Sequence, residues 1–207
     1  MRTLFEGFLI AVLVLLFSTA LSLAIIHITY FPYTTDIENL KLCENTGLSR
    51  EEIMLNFKAV MNYLSPFYSG IFTLPTLRYS QTGAYHFAQC KIMFNAVYFA
   101  GLLSALALSS AAANKVVSPL ALRISAVLTL AAPVMLAATF AVDFDKAFTL
   151  FHNLFFDSNT WLFNPKSDPI IKILPMPFFM HCALFIALFW IIGAAFQFAL
   201  GLKNYKG

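Results

Sequence analysis

The sequence predicts an all-α membrane protein, with four transmembrane helices and an extracytoplasmic cap formed by two long loops. Three observations lead there. Sixty per cent of the 207 residues are apolar and only 11% are charged, the balance of a chain that faces lipid. Four segments have the roughly 20 apolar residues that a helix rising about 1.5 Å per residue needs to cross a bilayer. The basic residues are divided unequally between the two ends of those segments. The chain reads as one membrane domain over residues 1–207, with its 23 Phe packed between spans or facing lipid. The formal charge of +3 is too small to make nucleic acid a partner.

The first span covers about 7–29. Its apolar run, Phe8 to Ile28 behind Arg2, is longer than a signal-peptide core and lacks a small-x-small cleavage site, so it is expected to stay as an anchor. The second span is placed at about 91–113, the third at about 119–142 and the fourth at about 178–202. In the third, Arg123 lies one turn inside and can extend its head to the interface, and Pro133 is expected to kink the helix. Arg2, Lys115, Arg123, Lys203 and Lys206 fall on one side with Glu6; nine of the ten acids and eight of the thirteen bases fall on the other. Both termini are therefore expected in the cytoplasm, and loops 30–90 and 143–177 outside.

Within the first loop, Ser49 and Glu52 form a capping-box pattern, and Ile53, Phe57, Val60, Met61 and Leu64 recur at helical spacing up to Ser65-Pro66. From Pro66 to Gly83, aromatic and β-branched runs are broken by Gly70, Pro75 and Gly83, which fits either extended segments or a loop. In the second loop an amphipathic helix is expected from Asp145 to Phe156, with Phe148, Phe151, His152 and Phe155 nearly on one side. The stretch Phe151–Phe179 is too polar to cross a bilayer, yet long, aromatic and punctuated by prolines. It reads as a surface at the lipid headgroups.

Several chemistries are disfavoured. Cys43, Cys90 and Cys182 form no CxxC pair, and an odd number leaves no complete disulfide framework or paired redox thiols. HExxH and zinc-type spacings are missing, so no metal is expected. No GxSxG elbow occurs. The four histidines, His27, His86, His152 and His181, all fall at the predicted outer boundary, where imidazole can exchange a proton near neutral pH. His86 and Cys90 share a helix face. Acyl transfer needs no protein nucleophile if the substrate supplies one. It then needs a base, an oxyanion donor and alignment. Trp161 reads as an interfacial anchor or as a wall for an acyl chain, and Asp157 as a turn cap or a partner orienting His152. Lys91, Arg78 and Lys172 are read as solvated charges near headgroups. His27 and His181 are read as structural.

The Ser49–Leu64 helix, a histidine just before the second span, and the series Phe151, His152, Phe155, Phe156, Trp161, Pro165, Leu174, Pro175, Phe178 and Phe179 together resemble the lipoprotein intramolecular transacylases. These are small four-span membrane proteins of Gram-positive bacteria, and the resemblance covers nearly the whole chain. It implies transfer of the sn-2 acyl chain of a diacylglyceryl-modified lipoprotein to the α-amino group of its N-terminal cysteine, giving a lyso-form lipoprotein. It further implies catalysis by His86 and His152 without metal or cofactor. The chain would be a monomer in the cytoplasmic membrane, with its site at the outer face and lipoproteins and membrane lipid as partners. Trp161, Gln89 and Asp157 are the expected substrate-binding residues. Where the family reads H-x-x-D-V-K, this chain has His86, Gln89, Cys90 and Lys91, so an amide replaces a charge at Gln89. Asn164 before Pro165 is a milder change of the same kind. The alternatives are another membrane lipid acyltransferase or hydrolase, or a non-catalytic membrane scaffold.

Overall fold

Helices satisfy their own backbone groups, which is the condition for crossing hydrocarbon, and the computed structural model of this chain is helical throughout its long apolar segments. It describes residues 1–156 and 159–203, and among these there are eight α-helices, one 3₁₀ turn and no strand. In chain order the helices are α1 (Arg2–Thr29), α2 (Tyr33–Asn39), α3 (Leu42–Thr46), α4 (Arg50–Leu64), α5 (Gln81–Ala113), α6 (Pro119–Phe155), α7 (Ile170–Ile173) and α8 (Met176–Lys203), with the 3₁₀ turn at Asn159–Trp161. Four stretches are long and apolar enough to span a membrane: Arg2–Thr29, Gln81–Ala113, Pro119–Phe140 and Met176–Lys203.

The helical backbone of α6 is interrupted at Asp143 (φ −172°, ψ 103°) and resumes to Phe155. Pro133, where the sequence predicts a kink, is not the residue that leaves helical dihedrals. The expected Asp145–Phe156 helix is thus the second part of α6. Its Phe151 and Phe155 are exposed while His152 is buried, so the aromatics divide between two sides.

The chain forms two compact units. The first comprises Met1–Ala24, Val97–Asp143 and α8 from Ala183 onward. Ile10, Val14 and Ala121 form its buried cluster, with Leu108 and Val117 packed against it. Lipid supplies no hydrophobic drive between helices, so close approach depends on small residues. A Cβ at Gly101 would collide with that of Ala20, and one at Gly7 would stand 2.7 Å from Ile124 Cγ2. The indole of Trp190 donates to Thr19 Oγ1 at 2.9 Å, and that hydroxyl donates to the Leu15 carbonyl at 2.8 Å.

The second unit comprises Ile25–Ala96 and Phe144–Cys182. Its core is aromatic. Tyr33 stacks on Phe57 with ring centres 3.6 Å apart, and Phe178 meets both edge-on at 5.1 and 5.8 Å. The Tyr33 hydroxyl donates to the Ile173 carbonyl at 2.8 Å, tying α2 to α7. The α4 start is the capping box that the sequence predicts. Ser49 Oγ accepts from the Glu52 amide at 3.1 Å, and Glu52 Oε2 accepts from the Ser49 amide at 3.0 Å.

The Pro66–Gly83 region is neither strand nor long helix before α5 begins. Fully buried Asn56 holds part of it, donating to Thr76 Oγ1 at 2.5 Å and accepting from the Thr76 and Leu77 amides at 3.3 Å. Lys91 donates to the Tyr68 carbonyl and lies over the Tyr63 and Tyr68 rings. His181 Nδ1 meets buried Asp36 at 2.8 Å, tying α2 to α8. His27 hydrogen-bonds the Met61 backbone.

Tyr33→Phe keeps the stacking but strands a buried acceptor, and is expected to cost about 1–3 kcal/mol. Tyr33→Ala removes the ring as well and is expected to cost about 3–5 kcal/mol. Chemical denaturation of the detergent-solubilised protein checks both values and their order.

Candidate active site

The site begins with how α5 starts. Ser80 caps the helix, its Oγ accepting from the Gly83 amide at 2.9 Å. The Ser80 amide donates to Asp168 Oδ1 at 2.7 Å, and Ser167 Oγ donates to Asp168 Oδ2 at 2.6 Å. Asp168 is buried, and a carboxylate at a helix N-terminus is favoured by the exposed amides and the helix dipole. A Cβ at Gly83 would run into Asp168 Oδ1 and come within 3.3 Å of Phe163, so glycine permits this close approach. Asp168 thereby fixes the first turn of α5, and the second turn carries His86.

His152 comes from the second part of α6. The two imidazoles, on different helices, have ring centres 5.9 Å apart. Both pack on buried Phe156, at 4.7 Å for His86 and 5.5 Å for His152. Phe163 covers His86 at 5.5 Å; Phe148 and Trp161 cover His152 at 4.1 and 4.7 Å. His86 is 5% exposed and His152 9%. Two imidazolium ions this close in an apolar enclosure would repel each other and lack solvation, so the pair carries at most one positive charge at a time.

Hydrogen bonding defines the His152 tautomer. A carbonyl only accepts, so His152 Nδ1–H donates to the Phe148 carbonyl at 2.8 Å, and Nε2 of the neutral ring carries the lone pair. Burial moves the His152 pKa below the ordinary histidine value, against the opposing pull of that bond to Phe148. Nε2 of His86 lies 3.4 Å from Cys90 Sγ. Nδ1 of His86 and Nε1 of Trp161 are buried and have no hydrogen-bond partner among the described residues.

Of the residues singled out from sequence, His86, His152 and Trp161 come together. Gln89 lies beside them, its Oε1 accepting from Thr160 Oγ1 at 3.0 Å. Asp157 lies outside the described residues. Among those described, no three His, Cys, Asp or Glu side chains are grouped to hold a metal ion. Sequence reasoning missed Asp168. Its signal was the Ser167-Asp168-Pro169 turn before α7, but nothing local connects that turn to Ser80. Phe148 lies on the helix side that the sequence predicts for His152, whereas Phe163 stood in the aromatic stretch without a sign that it would cover His86.

The fold and site define a class: a multi-pass, all-helical membrane protein with a buried histidine pair walled by aromatic rings. A family model described as lipoprotein intramolecular transacylase Lit matches residues 8–179, and the chain belongs to that family. The membrane-integral lipoprotein intramolecular transacylase Lit from Bacillus cereus superposes with a TM-score of 0.86 at 30% identity, over 99% of this chain and 96% of that one. Two structures of the same Bacillus cereus protein, with one histidine replaced by Arg or by Ala, each give a TM-score of 0.80 at 29% identity. They cover 99% of this chain and 92% and 94% of theirs. A curated, uncharacterized protein of Aquifex aeolicus is 41% identical over 68 residues, which is 31% of this chain and 31% of that protein.

Asp168→Ala leaves the half-buried Ser80 amide without its acceptor, and is expected to cost about 1–3 kcal/mol. Hydrogen exchange locates the effect: protection of the first α5 amides falls, while α4 amides keep theirs. Unchanged α5 protection would contradict the anchoring role.

Proposed function

We propose that this chain transfers the sn-2 acyl group of a diacylglyceryl-modified lipoprotein to the α-amino group of that lipoprotein's N-terminal cysteine. The product is the lyso-form, and neither metal nor cofactor takes part. The observation that supports this best is the pair of buried imidazoles, 5.9 Å apart on one Phe ring, within a member of the transacylase family. His152 is the base. Its Nε2 takes a proton from the attacking amine as nitrogen bonds to the ester carbonyl carbon, and the carbonyl π pair moves onto oxygen. His86 donates a hydrogen bond to that oxygen through Nδ1–H, the tautomer that a Cys90 thiol donating to Nε2 would select. The carbonyl then re-forms, the glycerol C–O bond breaks, and His152 returns its proton to the leaving oxygen. One ester and one amine become one amide and one alcohol, with no net proton gained or lost.

The magnitudes suit the chemistry. A positioned base supplies roughly 10²–10⁴-fold, and holding amine and ester within one bound molecule can supply more. The aromatic walls match a fatty chain and keep water from competing with the amine. The basic residues at one side of the spans support cytoplasmic termini and a site at the outer face, opening sideways to lipid because both acyl chain and anchor remain in the bilayer. The chain acts as a monomer. Gln89 acts on the substrate indirectly, through the Thr160 turn it holds.

With a diacylglyceryl lipopeptide and mass spectrometry of the product, His152→Asn should lower kcat roughly 10²–10⁴-fold, and His86→Asn roughly 10²–10³-fold. Full activity in either folded variant would overturn the assignment.

The pH profile follows from the same roles. Both the substrate amine, ordinarily titrating at about 7.7–8.0, and His152 must be neutral. Log(kcat/KM) should climb with slope one below the amine pKa. It should steepen to slope two only below about 6.5, since burial lowers the His152 pKa from its ordinary value. His152→Asn should abolish the steepening. A steepening at or above the ordinary histidine value would contradict the role given to His152.

A further inference from the structure

We propose that the indole N–H of Trp161 is a second donor to the oxyanion, acting beside His86 Nδ1–H. The inference rests on the acyl-transfer reading and adds a catalytic residue to it. The chain has two tryptophans, and they differ. Trp190 Nε1 donates to Thr19 Oγ1 at 2.9 Å. Trp161 Nε1 is buried and has no acceptor among the described residues. An indole nitrogen can only donate, and a buried donor left unsatisfied is costly. An interfacial anchor would keep its N–H among headgroups and water, which does not fit a buried Nε1.

The ring's position points the same way. It lies against His152, with centres 4.7 Å apart and planes tilted by 33°. Its other aromatic neighbour, Phe148 at 6.3 Å, offers no lone pair. Two of the rings beside the base, His86 and Trp161, each have a buried nitrogen without a hydrogen-bond partner among the described residues. Two buried donors held beside a base are suited to stabilise a tetrahedral oxyanion.

The turn carrying Trp161 is held in place. Leu162 N donates to the Asn159 carbonyl at 3.1 Å and Phe163 N to the Trp161 carbonyl at 3.0 Å, closing the turn on itself. Thr160 Oγ1 donates to Gln89 Oε1 at 3.0 Å, tying the turn to α5 one helical turn beyond His86. A ring that merely lined an acyl chain would need no such registration against the helix that carries the other donor.

In the reaction, the amine lone pair forms the C–N bond and the carbonyl π pair moves to oxygen. The indole N–H hydrogen-bonds that oxygen without releasing its proton, and the pair returns to re-form the carbonyl as the glycerol C–O bond breaks. The donor therefore strengthens its contact in the transition state and should act on kcat.

The test uses the full-length protein in detergent or nanodiscs with a diacylglyceryl-modified lipopeptide, followed by mass spectrometry. Trp161→Phe keeps a flat ring without the N–H. Benzothienylalanine introduced at position 161 keeps the bicyclic shape, with sulfur in place of N–H, and guards against a packing artefact. Both should lower kcat by roughly 10²–10³-fold with KM changed by no more than about threefold, because substrate ground-state contacts remain. The benzothienyl variant at full kcat would overturn the proposal, as would a loss confined to KM, which would make the ring a binding wall. If unaltered protein yields no N-acylated product, or His152→Asn keeps full rate, the acyl-transfer reading itself fails, a result distinct from failure of the Trp161 assignment.

Discussion

Two imidazoles enclosed by one aromatic wall can carry no more than one positive charge between them, and the rest of the second unit holds them in that enclosure. Burial strips His86 and His152 of the water that would let both charge, and their separation of 5.9 Å penalises a second charge further. Such a pair has few stable states. It can be neutral, ready to accept, or singly protonated, ready to return what it took. A proton relay over one substrate needs no more, and the apolar surroundings make each hydrogen bond within the enclosure stronger than it would be in water.

The architecture serves that constraint through a few anchored positions. The Asp168 carboxylate gathers the Ser80 amide and the Ser167 hydroxyl, so the helix that presents His86 starts at a fixed point. The Phe148 carbonyl orients His152 from one turn earlier on the same helix. Phe156, just past the end of that helix, is the common floor for both rings. Behind these, Tyr33, Phe57 and Phe178 make the core on which the short helices pack. The Asp168–Ser80, Phe156–His86 and Tyr33–Phe178 contacts join chain segments far apart in sequence, so the site exists only when the whole unit is folded.

Much of the fold could be read from the residues because membranes impose simple lengths. Long apolar runs must be helices, and the Ser49–Glu52 box announced α4 through the reciprocal bonds it makes. The start of α5 was less visible. Its first turns are not apolar enough to register as a span, and the true signal was the cap at Ser80. Pro133 drew attention because its ring removes a hydrogen bond, but surrounding helical geometry absorbed it; the interruption came at Asp143, which local propensity did not mark. The histidines were legible as residues at one depth, and the family resemblance selected two of them. Their separation, the tautomer of His152 and the bond between Asp168 and Ser80 depend on long-range packing, which periodicity does not encode.

The central claim is that both rings act on one ester within one transition state. A double-mutant cycle of His86→Asn and His152→Asn, read as kcat on a diacylglyceryl lipopeptide, tests it most directly. Groups that act as a unit lose most of their effect once either is gone. The double variant should therefore be little slower than the slower single variant. Losses that multiply, as they do for independent sites, would contradict the account.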